Sequence, residues 1–143
     1  MERQIGKEII KLSNRIKRTM RAASEEIGIT DAQGRVLQYI GEESLKRNVY
    51  QKDIEETFDI RRSSVTQLLQ VLERSGMILR EPVVEDARLK KLTLTEKGQR
   101  IQNVMHRQIR EMEEELAQNI SFEEKEILLN ILCKIRKNLR EEK

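Results

Sequence analysis

A chain of 143 residues with 37% charged residues, 3% aromatics, one proline and six glycines suits a single, mainly helical domain with an aliphatic core and disfavours an extensive sheet. Lys and Arg outnumber Asp and Glu by 28 to 25, spread almost evenly along the chain, so net charge alone makes no case for nucleic acid. The lone cysteine, Cys133, excludes an intrachain disulfide framework; with no membrane-length apolar run and no secretion signal at the N-terminus, the expected location is the cytoplasm.

The first predicted helix is long. Ile5, Ile9, Leu12, Ile16, Met20, Ala23 and Ile27 recur at three- and four-residue steps, a narrow seam of coiled-coil type, and Gly28 ends it. Thr30 to Gln33 has capping-box spacing and opens a second helix, which buries Val36, Leu37 and Ile40 and stops near Gly41. Asn48 to Gln51 repeats the pattern and starts a short third helix with Ile54 and Phe58 inward.

A turn, Asp59-Ile60-Arg61, leads to a fourth helix that carries Val65, Leu68, Leu69 and Leu72 inward and closes at Gly76. Two short extended runs follow, Ile78 to Val84 and Leu89 to Leu94, joined by a charged tip, Asp86-Ala87-Arg88. Thr95 caps a fifth helix with Ile101, Val104, Met105, Ile109, Met112 and Leu116 along its seam. Ser121 to Glu124 boxes a sixth, whose seam is Ile127, Leu128, Ile131, Leu132, Ile135 and Leu139.

Helix, tight turn, helix and hairpin is the order of a winged helix-turn-helix, whose second helix fits the major groove of B-form DNA. The first turns of the fourth helix present Arg61, Arg62, Ser63, Ser64, Thr66 and Gln67, and no acid stands between Arg61 and Gln70. Polar and basic side chains beside free helix-terminal amides are what base edges and phosphates require.

The run from Asp53 to Gly98 resembles the MarR family of bacterial transcription regulators. Leu72-Glu73-Arg74-Ser75-Gly76-Met77-Ile78 at the helix end, Asp86-x-Arg88 in the wing and Leu94-Thr95-Glu96-Lys97-Gly98 at the next helix carry the resemblance. It implies a homodimer on a pseudo-palindromic double-stranded operator, acting as a repressor and released by a small-molecule effector. The module spans 30–98, and residues 1–28 with 99–143 form a helical dimerisation region. It also implies that Arg88 enters a flanking minor groove, that Asp86 braces the tip, and that Lys90 joins the DNA-binding set. Two positions depart from the family pattern. Arg61 stands where a capping Ser or Thr is usual, losing about 1 kcal/mol of cap but adding charge near phosphates. Asp59 stands where glycine is common, and aspartate tolerates the left-handed turn.

Other signals are weaker. Lys7, Lys11, Arg15 and Arg18 form a basic stripe that reads best as a solvated face. His106 and Cys133 are too few for a structural metal site, so no cofactor or metal is expected, and Cys133 reads as a packing residue. No phosphate-cradling loop, glycine-flanked nucleophile or acid/base pair suggests an enzyme. The rival reading is a winged-helix module that docks on protein, which need not share the steep salt dependence of DNA binding.

Overall fold

A computed structural model describes residues 2–139 and contains six helices and one hairpin: α1 (Ile5–Ile27), α2 (Asp31–Glu43), α3 (Gln51–Phe58), α4 (Arg62–Arg74), β1 (Ile78–Val83), β2 (Asp86–Leu94), α5 (Glu96–Leu116) and α6 (Phe122–Asn138). The backbone divides between Ile109 and Arg110 into two compact units.

In the first unit the core gathers Val36, Leu37 and Ile40 of α2, Val49 and Ile54, Val65, Leu69 and Leu72 of α4, Ile78 and Leu92 of the hairpin, and Met105 of α5, each almost fully buried. The helix ends follow local chemistry. Gly28 and Gly76 take left-handed backbone at φ 83° and 74°, which glycine adopts without the Cβ penalty. Thr30 accepts from the Gln33 amide at 3.1 Å, while the Gln33 side chain accepts from the Thr30 amide at 3.0 Å. The third helix begins later than Asn48 suggests. Tyr50 is its N-cap, and the Asp53 carboxylate accepts from the Tyr50 amide at 2.9 Å. Ile54 is buried, whereas Phe58 is half-buried with its ring edge-on to Tyr39 at 5.8 Å.

The second helix runs past Gly41 to Glu43. Gly41 is buried in the last turn of the helix, where a Cβ would lie 2.8 Å from Gln102 and 3.1 Å from Leu94. Its glycine permits close packing and does not terminate the helix. Just beyond, Arg47 ties α2 to α3: its guanidinium donates to the Tyr39 hydroxyl at 2.9 Å and lies 3.2 Å from Asp53 and 3.3 Å from Glu43.

The hairpin is antiparallel, from Ile78 opposite Leu94 to Pro82 opposite Lys90, and then Val83 pairs with Asp86. Ala87, Arg88 and Leu89 therefore bulge from β2. The turn is Val84-Glu85, so Asp86 and Arg88 stand on the return strand just past the tip.

In the second unit, the end of α5 and α6 are joined through Asn119 at φ 60°. Ser121 and Glu124 form the expected reciprocal cap, and Met112 is buried. None of the described residues of α6 is buried: Ile127, Leu128, Leu129 and Ile131 are each about half exposed, and Cys133 is intermediate. The N-terminal half of α1 likewise exposes Ile5, Ile9, Ile10 and Leu12, and only Met20 of its predicted seam is buried; the Ala23 side chain lies outside the described residues. Among the described residues no helix is long and apolar enough to cross a membrane.

A Cβ at Gly98 would collide with the Met77 backbone carbonyl, which cannot swing aside as the Gln102 side chain beside Gly41 can. Gly98→Ala should therefore lower stability by about 2–3 kcal/mol and Gly41→Ala by about 1 kcal/mol, as read from denaturant unfolding.

Candidate nucleic-acid interface

Asp59 ends α3 in the left-handed region at φ 54°, ψ 49°, turning the chain tightly into α4. Arg61 is the N-cap of α4 and makes no side-chain cap, so amides of the first turn are left unpaired by it. Arg61, Arg62, Ser63, Ser64 and Gln67 are all exposed. Val65, Leu69 and Leu72 on the opposite face are buried, and Leu68 is half-buried. Up to Gln70 the helix thus presents a polar, acid-free surface while its apolar stripe anchors it.

Thr66 differs from its neighbours. It is half-buried, its hydroxyl donates to the Arg62 carbonyl at 2.9 Å, and it accepts from Gln51 Nε2 of α3 at 2.8 Å. Helical spacing alone groups it with Ser63 and Gln67; the tertiary bond from α3 gives it different surroundings.

Asp86 and Arg88 form a fork in the wing. The Arg88 backbone amide donates to Asp86 Oδ1 at 3.0 Å, and its Nε and Nη2 donate to Oδ1 and Oδ2, both at 3.2 Å. The bulge permits this, since an amide released from the strand ladder can turn to the carboxylate two residues back. The Arg88 side chain remains 91% exposed. Its side-chain and backbone hydrogen bonds hold the Asp86 carboxyl below its ordinary pKa.

Arg62, Arg88 and Lys90 line one groove of about 550 Å³ between α3, α4 and the wing, with Tyr50, Gln51, Lys52 and Arg80. Five basic side chains surround one carboxylate there, Glu55. Lys52 and Arg80 are lining residues that sequence reasoning missed. Arg80, four-fifths buried, pairs with Glu73 at 3.7 Å; its strand position gives no sequence signal for a groove formed by tertiary packing.

The base of the wing accounts for the Leu94-to-Gly98 motif. Thr95 donates its amide to the Met77 carbonyl at 3.0 Å and its hydroxyl to the Gly76 carbonyl, while accepting from the Gly98 amide at 3.1 Å. Lys97 Nζ donates to the Ser75 carbonyl at 2.9 Å. On the other side, the Leu92 amide donates to the Val49 carbonyl at 2.7 Å.

A helix-tight turn-helix unit with a hairpin braced against its second helix is a winged helix-turn-helix. Residues 27–89 match the model of the MarR family, so this stretch of the chain is similar to that family's members. A curated relative, an uncharacterised HTH-type transcriptional regulator (YdgJ) of Bacillus subtilis, is 35% identical over 92 residues, covering 64% of this chain and 56% of the relative's length. Among solved structures, MarR from Oenococcus oeni superposes with a TM-score of 0.87 at 23% identity, covering 94% of this chain and 99% of that one. S. aureus MepR in a DNA-binding conformation gives 0.87 at 27% identity, covering 96% and 100%. An S. aureus MepR–DNA complex gives 0.82 at 27% identity, with the same coverage.

The Asp86–Arg88 fork makes a pH prediction. A depressed carboxyl pKa contributes stability to the wing tip above the ordinary aspartate value of 3.8, and that contribution is lost as pH falls through the lower folded value. In an NMR titration Asp86 should titrate below 3.8 in the parent and move up towards it in Arg88→Ala.

Proposed function

We propose that the chain is a sequence-specific double-stranded DNA-binding repressor of transcription that reads a pseudo-palindromic operator as a homodimer. The observation that carries this reading is the single basic groove joining the first turn of α4 to the wing, with Arg62, Arg88 and Lys90 on its walls. On this reading Arg61, Arg62, Ser63, Ser64 and Gln67 approach the major groove and its phosphates, where a good base-edge pair contributes about 1–3 kcal/mol of discrimination. Lys90 approaches phosphates. Arg88 reaches into a flanking minor groove, where narrow A·T-rich DNA concentrates negative potential, and the Asp86 fork limits its conformational freedom. The DNA-bound state of MepR, 27% identical to this chain, supports the same use of the fold.

Residues 1–28 and 99–143 are the proposed dimerisation region. Ile5, Ile9 and Leu12 of α1 and Ile127, Leu128 and Ile131 of α6 are exposed in the single chain. Exposed apolar helix faces of this kind are normally covered by a partner, and a second copy is the one that a two-fold operator calls for. Sedimentation equilibrium should return a dimer at micromolar concentration; a stable monomer would overturn this part of the reading.

Arg88→Ala should weaken binding to an operator selected from random duplexes by at least about 1–2 kcal/mol and reduce the preference for A·T-rich flanks. Arg88→Lys should not restore that preference, because an ammonium is more strongly hydrated than a guanidinium. Thermal melts should barely change, since Arg88 is so exposed. An Arg88→Ala protein that binds like the parent would remove the wing from the interface.

A further inference from the structure

We propose that Gln51 and Thr66 are a positioning pair: their hydrogen bond sets the rotation of α4 about its own axis, and so its base preference, without either side chain touching a base. The inference rests on the DNA-reading function proposed above. Between α3 and α4 the buried side chains are Ile54, Val65 and Leu69. Apolar contact of that kind is non-directional, so it holds the helices together without fixing their relative rotation. The Gln51–Thr66 bond is directional. Gln51 Nε2 donates to Thr66 Oγ1 at 2.8 Å and lies 3.5 Å from the Arg62 carbonyl, the same oxygen that receives the Thr66 hydroxyl proton at 2.9 Å.

A threonine hydroxyl has one proton. Given to the Arg62 carbonyl, it is not available to a base acceptor, and the half-buried site directs the oxygen towards α3. A hydroxyl bonded to the carbonyl four residues back also bends a helix slightly, here over the first two turns, where Arg62, Ser63 and Gln67 project. With a helix radius of roughly 5–6 Å including side chains, a rotation of about 10° displaces the outward tips by about 1 Å. Base-edge pairs tolerate little of that.

The test uses the full chain and a duplex enriched by the parent protein from a random pool, with a scrambled duplex as reference. Gln51→Ala and Thr66→Val should each lower the ratio of enriched to scrambled affinity by about five- to tenfold, the loss falling mainly on the enriched duplex. The double variant should be no worse than either single one, and Thr66→Ser should behave as the parent. Additive losses would overturn the pairing. So would a neutral Gln51→Ala beside a Thr66→Val that relaxes preference at one base pair, since that is direct contact, or an equal loss on both duplexes, which is phosphate binding. A parent that enriches no sequence would defeat the proposed function and this role with it. Thermal melts of the parent, Gln51→Ala, Thr66→Val and the double variant then judge the bond alone, additive destabilisation showing that it is not made.

Discussion

Just past the end of α4, the carbonyls of the Ser75-Gly76-Met77 turn are bonded by the chain returning from the wing. The Met77, Gly76 and Ser75 carbonyls receive the Thr95 amide, the Thr95 hydroxyl and the Lys97 ammonium in turn. Gly98 lets α5 start against the same backbone, and the Leu92–Val49 bond holds the hairpin from its other side. The wing is thereby built onto the helix it accompanies. The groove between α3, α4 and the hairpin exists because these bonds fix the hairpin's base, and the exposed Arg88 has a defined place because the base is fixed.

The same logic separates what was legible in the sequence from what was not. Helix ends were legible because their chemistry is local: Gly28, Thr30 with Gln33, the left-handed Asp59, Gly76, and Ser121 with Glu124 all behave as their residue types require. The hairpin was legible in outline, but its turn falls on Val84-Glu85 and its return strand starts at Asp86, because the bulge depends on strand pairing. Gly41 looked like a stop and is a packing site, since Gln102 and Leu94, which demand it, arrive from far along the chain. Thr66 shared a periodicity with residues that face outward, and only Gln51, fifteen positions earlier, sets it apart. The Arg47 bridge joining Tyr39, Glu43 and Asp53 is likewise a tertiary event without a sequence signature.

Exposure is divided unequally. Most apolar residues of α2 and α4 are covered, Val71 being an exception, while α1 and α6 carry much of the exposed aliphatic surface. A helix with that surface draws most of its stability from what covers it and little from intrinsic propensity. The proposed dimer would therefore set the stability of the outer helices, while the winged module relies on its own core.

The Asp86–Arg88 fork also bears on how the wing would meet its target. The guanidinium and its carboxylate together carry no net charge, so from afar the pair behaves as a small dipole. A dipole's energy follows the gradient of the potential and decays more steeply with distance than that of an isolated charge. The fork would add little to long-range attraction towards a polyanion, leaving diffusional capture to cations such as Arg61, Arg62 and Lys90. Arg88 would act only after the complex has formed, which places its contribution in the lifetime of the bound state and not in the rate of encounter.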